Sequence, residues 1–176
     1  MSSVLSSLAD FLHSKGFGFQ AFPDNSALRL SFAAKNGTIA AVARWGANEE
    51  SLTTWSICPV MVPPERRAAM MEFITRCNAE LAYVRFTIDL DKGELRCTAT
   101  TLLTDRKVSA HHAEIMVLSP VWAMDQHLPI FMELIYGAID PAEALRRVKA
   151  MHVHGAPGHQ GGPQGGPQGG PPHTTA

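Results

Sequence analysis

The chain has 176 residues, of which 45% are hydrophobic and 18% are charged, and its formal net charge at pH 7 is -1. This length suits a single globular domain, whose core needs no disulfide or metal to be stable. A charge so close to zero excludes a strong field that would attract nucleic acid or an anionic membrane. We therefore expect the partner to be a protein or a small ligand, with no nucleic acid and no membrane.

The three cysteines, Cys58, Cys77 and Cys97, form no C-x-x-C pair, and their odd number leaves at least one thiol unpaired. Their apolar surroundings favour buried structural thiols over metal ligands or a nucleophile. The N-terminus has no basic segment followed by a long apolar one, and no apolar run approaches about 20 residues. These patterns predict a cytoplasmic protein.

The N-terminal segment is typical of a short amphipathic helix, which Ser2 or Ser3 can cap and Gly16 can end. Its apolar face consists of Leu5, Leu8, Phe11 and Leu12. A short extended segment with three aromatic residues follows, and turn residues close it at Pro23-Asp24-Asn25.

Alternating apolar and polar residues then predict three strands, over residues 28–34, 38–45 and 52–60. Asn36-Gly37 lies between the first two and predicts a type I′ hairpin turn, in which both central residues have positive φ. Pro59 is expected to mark the end of the third strand.

A second helix is predicted to begin at Pro63-Pro64-Glu65, because proline and an acidic residue are both favourable in a first turn. Its apolar stripe consists of Met70, Phe73, Ile74, Cys77 and Leu81. A second hairpin follows, with strands over residues 84–90 and 95–101 and a turn at Asp91-Lys92-Gly93.

A helical pattern resumes at Ser109 and continues to about Tyr136. Pro120 and Pro129 lie inside it, so we expect a kinked helix or two to three helical pieces. Gly137 is expected to cap its end. Asp140-Pro141 is typical of the start of one further short helix.

The composition changes after this helix, where Gly-Gly-Pro-Gln is repeated between Gly161 and Gln168. Such a segment buries too little apolar surface to offset its chain entropy. We therefore divide the chain into a folded domain, residues 1–153, and a disordered Gly/Pro/Gln/His-rich tail, residues 154–176. The irregular spacing of His152, His154, His159 and His173 does not favour a specific metal site.

Catalytic and metal-binding motifs are absent from the sequence, since it contains no G-x-S-x-G, Walker A or G-x-G-x-x-G pattern. His111 and His112 are adjacent, so on a helix their side chains point about 100° apart and do not converge on a metal. We interpret them as an exposed pair at a helix start. No enzyme activity, cofactor or metal site is expected.

The three tryptophans can each be a core anchor or an interface residue. Trp45 and Trp55 lie in predicted strands, which favours the core. Trp122 lies in the unusually apolar run 117–124, which is either the packed back of the sheet or a partner groove, with the core favoured. If the run is a groove, the candidate partner-binding residues are Trp122, Met124, Phe131 and Met132.

The order helix, three strands, helix, two strands, helices resembles the YbjN family, which has the fold of the class I type III secretion chaperones. The resemblance covers about residues 5–148. It is carried by Arg76-Cys77-Asn78 before Tyr83-Val84-Arg85-Phe86-Thr87-Ile88-Asp89, by Asp91-Lys92-Gly93-Glu94 before Leu95-Arg96-Cys97, by Asp125-Gln126-His127-Leu128-Pro129 before Ile135-Tyr136-Gly137, and by Asp140-Pro141-Ala142-Glu143-Ala144-Leu145.

The resemblance implies an α+β domain in which an antiparallel sheet packs against helices. It also implies a non-enzymatic, protein-binding role, as a chaperone-like protein or a sensory transduction regulator, and a homodimer formed through the second helix and the strand after it. Two features depart from the family pattern. Secretion chaperones are usually strongly acidic, whereas this chain is nearly neutral, and the Gly-Gly-Pro-Gln tail is not part of the family pattern.

The alternative function is a small-molecule sensor with a pocket between the sheet and the helices of residues 109–136.

Overall fold

A computed structural model of the chain describes residues 1–48, 50–137 and 139–154. In chain order its elements are α1 (Ser3–Ser14), β1 (Phe19–Ala21), β2 (Ala27–Ala33), β3 (Thr38–Gly46), β4 (Ser51–Ile57), a 3-10 turn (Pro64–Arg66), α2 (Arg67–Asn78), β5 (Arg85–Ile88), β6 (Leu95–Leu102), α3 (Ala110–Tyr136) and α4 (Pro141–His154). The expected boundary after residue 153 falls at the end of α4, and residues 155–176 lie outside the described residues.

The six strands form one antiparallel sheet in the order β1-β2-β3-β4-β6-β5. One face of the sheet packs against the helices, with α3 across β3, β4 and β6, and α2 against β5. The core is dense under α3, where the rings of Phe73, Phe86 and Phe131 are fully buried and meet edge to face. The α+β class with helices on an antiparallel sheet is therefore confirmed.

The helix ends follow the local sequence closely. The Ser2 hydroxyl accepts a hydrogen bond from the amide of Leu5 at 3.2 Å, and Gly16 follows α1 with a φ of 75°. Ser109 caps α3 in the same way, through the amide of His112 at 3.1 Å. These caps confirm the predicted starts of α1 and α3 and the predicted end of α1.

Several strand and helix boundaries differ from the sequence prediction. The third predicted strand, now β4, ends at Ile57 rather than at residue 60. The second helix begins with the 3-10 turn and ends at Asn78, so Leu81 lies beyond it. At the first residue of α2, the Arg67 side chain donates to the carbonyls of Val62 at 3.1 Å and Leu90 at 2.6 Å, which ties the helix start to the segments around it.

The β2–β3 hairpin does not use the predicted type I′ turn, since neither Asn36 nor Gly37 has a positive φ. The hairpin is instead shaped by its contact with α3. The Asn36 amide nitrogen donates to Asp125 Oδ1 at 2.7 Å, and a Cβ at Gly37 would lie 3.3 Å from Leu128 Cδ2. The type I′ prediction was wrong because Asn-Gly here allows a close approach to a helix.

The third helix is a single α-helix of 27 residues, although it contains Pro120 and Pro129. It is therefore not divided into the two or three pieces that the prolines suggested. A proline within a helix has no N–H for the carbonyl four residues earlier. The carbonyls left without a backbone partner are those of Met116 and Asp125.

Side chains from the sheet layer supply donors to both of these carbonyls. The Thr54 hydroxyl, on β4, donates to the Met116 carbonyl, and Asn36 Nδ2 donates to the Asp125 carbonyl at 2.9 Å. These contacts meet the hydrogen-bonding requirement that the prolines create, and they fasten α3 to the sheet.

Candidate functional site

The outward face of α3 is a largely apolar surface, which we call the α3 ridge. From Ile115 to Pro129 its residues recur at spacings of three and four, and Tyr136 follows Pro129 after seven, with Glu133 between them on the same side of the helix. None of them is fully buried, and Trp122 is 53% exposed. Residues 115–132 of α3 contain no lysine, arginine or glutamate, and their single aspartate, Asp125, is buried. The α3 ridge consists of Ile115, Leu118, Trp122, Gln126, Pro129 and Tyr136.

The four predicted partner-binding residues divide between the surface and the core. Trp122 is exposed and Met132 is partly buried against the core. Met124 and Phe131 are fully buried, and Phe131 lies 5.2 Å from Phe86 between ring centroids. Met124 and Phe131 therefore serve the core of this chain, and Trp122 presents the apolar surface that a partner can reach.

The core interpretation of the tryptophans is confirmed for one of the three. Trp45 packs against the core, whereas Trp122 is exposed. Trp55 is half-buried on the sheet face opposite the helices, where the guanidinium carbon of Arg96 lies 5.8 Å from its ring centroid. Alternation along β4 could have indicated this outward position, because the neighbouring Thr54 and Ser56 are the residues that face α3.

The helix-free sheet face, which we call the outer face, carries polar and apolar residues in rows defined by the strand register. One row runs from Arg29 through Val42, Trp55 and Thr98 to Arg85. A shallow depression lies at the β5 end of the row. Its lining residues are Ala82, Tyr83, Arg85, Thr87, Thr98 and Thr100.

The β5 edge of the sheet is closed to backbone pairing at its centre. Asn78, the last residue of α2, accepts a hydrogen bond from the Phe86 amide at 2.8 Å and donates to the Phe86 carbonyl at 2.9 Å. Arg85 Nη1 donates to the Val84 carbonyl at 2.7 Å. A strand edge whose backbone groups are already bonded offers little to an added strand.

The cysteines are confirmed as buried free thiols. Burial raises the pKa of Cys58, and it raises the pKa of Cys77 and of Cys97 to about 12. A thiol with such a pKa remains protonated near neutral pH, which does not suit a nucleophile or a metal ligand. This chemistry fits a structural role.

His111 and His112 are exposed at the start of α3, as expected of a surface pair. Their ring centroids lie 6.5 Å apart, and His112 Nδ1 lies 3.2 Å from the Ser109 hydroxyl oxygen. Among the side chains that the structure describes, in residues 1–48, 50–137 and 139–151, no three His, Cys, Asp or Glu residues converge as metal ligands would. The side chains of His152 and His154 and the tail residues His159 and His173 lie outside the described part of the chain.

The space between the sheet and α3, where a ligand pocket was the alternative expectation, is filled by side chains. Phe86, Phe131 and Met124 are each buried there to less than 2% exposure. Two surface depressions lie elsewhere, one on the outer face and one between the start of α1 and residues 105–109. The described geometry therefore gives the small-molecule alternative no support.

Among the residues that the structure describes, no helix is long and apolar enough to cross a membrane.

Comparison with known proteins places these features in a family context. A family model, YbjN, described as "Putative bacterial sensory transduction regulator", matches residues 5–129. This match ends before the expected limit at residue 148. None of the curated proteins matches the chain in sequence.

Two solved structures resemble the fold. One, described as "Crystal structure of YbjN, a putative transcription regulator from E. coli", has 15% identity and a TM-score of 0.49, and the match covers 85% of this chain and 92% of the other. The second, described as "Crystal Structure of the ExsC-ExsE Complex", has 13% identity and a TM-score of 0.54, and covers 73% of this chain and 96% of the other. The second similarity confirms the secretion-chaperone-like fold.

Proposed function

Because the chain belongs to the YbjN family, we propose that it is a non-enzymatic, protein-binding domain that acts as a chaperone-like protein or a sensory transduction regulator. In the ExsC–ExsE complex a domain of this fold is associated with a second protein. That association supports the proposal that a polypeptide is the partner here.

The α3 ridge is the observation that carries the proposal. A tryptophan buries roughly 150–250 Å² when it is covered, and such residues dominate the binding energy of many interfaces. Trp122 lies at the middle of the ridge, with Leu118 and Gln126 one turn away on either side. A largely apolar area on a surface is typical of an interaction site. The partner contact is therefore assigned to Trp122, with Met132 at its margin.

Homodimerisation through α2 and the segment leading into β5 is a further part of the proposal. Met71 on α2 is 44% exposed and Tyr83 is 78% exposed, so this region presents apolar side chains. Asn78 occupies the backbone groups of Phe86. The dimer contact would therefore be made by side chains rather than by a continuous sheet, and light scattering at micromolar concentration should give the mass of two chains.

We also place this function in the cytoplasm, because Cys58, Cys77 and Cys97 are all free thiols. Reduced cysteines are the rule in the cytosol, whereas secreted proteins usually pair them.

Affinity capture from the native cytosol tests the proposal. The full chain, a Trp122→Ser variant and a Met61→Ser variant are each immobilised, and retained proteins are identified by mass spectrometry. Met61 is a matched control, because it is 54% exposed but lies outside the α3 ridge. A partner retained by the full chain and by Met61→Ser, and lost with Trp122→Ser, supports the proposal.

Retention of the same partner by Trp122→Ser would contradict the assignment to the α3 ridge. A chain that lacks residues 155–176 completes the design. Loss of the partner on that deletion alone would place the function in the tail.

A further inference from the structure

The charges of the sheet are of one sign. The six strands contain no aspartate or glutamate, and their charged residues are the four arginines Arg29, Arg44, Arg85 and Arg96. The whole chain contains 16 acidic and 15 basic residues besides histidine, so the helices and loops together are acidic. Positive charge is therefore concentrated on the sheet of a nearly neutral protein.

All four arginines lie on the outer face. Each is exposed and alternates with a buried residue that faces the helices. The register pairs Arg44 with Thr53 and Arg96 with Ile57, which places these two diagonally on either side of Trp55. Arg29 and Arg85 lie in the row of Trp55, two strands away in opposite directions. The arginines thus surround one half-buried indole.

Most of this charge is not neutralised within the described part of the chain. Arg96 forms an ion pair with Glu94, at the rim of the face. Among the described residues Arg29, Arg44 and Arg85 have no acidic partner: Arg29 lies over the ring of Phe22 at 5.2 Å, and Arg85 donates to backbone carbonyls. No helix of the described residues covers this face.

We infer that the outer face is a docking surface for an acidic polypeptide segment, with Trp55 contacting an apolar side chain and the arginines pairing with carboxylates. Exposed arginine favours carboxylate because its planar guanidinium can donate two parallel hydrogen bonds. Opposite charge across an interface also raises the association rate and selects the partner. This inference rests on the proposed function in taking the partner to be a polypeptide, and it adds a second surface on the side opposite the α3 ridge.

Two other occupants fit the face less well. The segment of residues 155–176 contains no aspartate or glutamate, so it offers no charge to the arginines. Single-stranded nucleic acid is usually held by several aromatic rings on which successive bases stack. The central ring on this face is that of Trp55, and Phe22 and Tyr83 lie only at its two margins, beside Arg29 and Arg85.

Fluorescence anisotropy with defined probes tests the inference on the full chain. The probes are fluorescein-labelled peptides of alternating Glu-Leu, Ser-Leu and Lys-Leu sequence, and oligothymidylate of the same length. The variants are Arg29→Glu/Arg44→Glu, its neutral form Arg29→Gln/Arg44→Gln, and Trp122→Ser. Arg146→Glu, which changes an exposed arginine on α4 outside the proposed binding and dimer surfaces, is the control. Circular dichroism and thermal unfolding establish that each variant is folded.

We expect the Glu-Leu peptide to bind at least about tenfold more tightly than the Ser-Leu peptide, and this preference to weaken as salt is added. The double Glu variant should lose about tenfold or more in affinity, and the double Gln variant less, since each exposed ion pair is modest. Arg146→Glu and Trp122→Ser should bind the peptide as the native chain does.

Equal binding of all three peptides, tighter binding of oligothymidylate, or loss with Trp122→Ser instead of the arginine variants would each overturn the inference. Failure of every peptide to bind would overturn it as well. The proposed function is judged separately, by whether capture from cytosol depends on Trp122, so the two can fail independently.

Discussion

Asn36 and Asp125 are 89 residues apart in the sequence and are joined by two hydrogen bonds. The Asn36 amide nitrogen donates to the Asp125 carboxylate, and Asn36 Nδ2 donates to the Asp125 carbonyl that Pro129 leaves without a backbone partner. In the same way, the Thr54 hydroxyl donates to the carbonyl of Met116, which lies four residues before Pro120. The position of α3, and hence of the α3 ridge, therefore depends on donors from the sheet layer.

Replacement of Thr54 by valine tests this dependence. The change keeps the size of the side chain but leaves the buried Met116 carbonyl without its donor, so the free energy of unfolding should fall by about 1–3 kcal/mol. Urea denaturation measures it. Thr53→Val on the outer face is the control, since Thr53 is partly exposed and its hydroxyl meets that of Thr100. An equal loss in both variants would contradict the account.

A double-mutant cycle between Thr54 and Pro120 isolates the contribution of the proline. Pro120→Ala restores an N–H that can donate to the Met116 carbonyl, so Thr54→Val should cost less in that background. We expect a coupling energy of about 0.5–3 kcal/mol between the two sites. Additive effects would show that the threonine hydroxyl does not compensate for the proline.

Two glycines should respond differently to alanine. Gly93 has a φ of 80°, and its Cβ would lie 2.1 Å from the Val62 carbonyl oxygen, so Gly93→Ala should lower the free energy of unfolding by more than about 2 kcal/mol. Gly37 has no positive φ, and its Cβ would meet the flexible end of Leu128, so Gly37→Ala should cost less than about 1 kcal/mol. If Gly37→Ala lowered the thermal stability more than Gly93→Ala did, the type I′ interpretation of the Asn36-Gly37 turn would be restored.

The cysteines predict a specific pH dependence. The pKa of Cys77 and of Cys97 is raised from 9.0 to about 12 by burial, so the folded state holds these thiol protons more tightly than the unfolded state does. Stability from this source is therefore complete below pH 9 and is lost as the pH rises from there towards 12. The native chain should resist iodoacetamide at pH 8 and react in urea. Rapid alkylation of the native chain would contradict the burial.

Local sequence patterns were sufficient for most of the fold. Alternation defined β2 and β3, and Ser2, Ser109 and Gly16 marked helix ends that the structure confirms. The order in which β6 lies between β4 and β5 is set by long-range pairing, which alternation within one strand does not specify.

The errors at the hairpin turn and at the two prolines have one physical origin, because the deciding contacts join residues far apart in the chain. Pro120 and Pro129 suggested breaks since their compensating donors, Thr54 and Asn36, lie on other elements. The candidate site was only partly predicted, and the reason is similar. Both sides of α3 are apolar, so periodicity could not separate Trp122 on the surface from Phe131 in the core.

Site-specific photo-crosslinking at Trp122 tests the central claim, that the α3 ridge binds a polypeptide, most directly. A benzophenone amino acid replaces Trp122 in one chain and Arg146, exposed on α4, in another, and both are irradiated in native cytosol. The account predicts a discrete protein adduct from position 122 and none from position 146. Adducts from position 146 alone, or the same adducts from both positions, would contradict it.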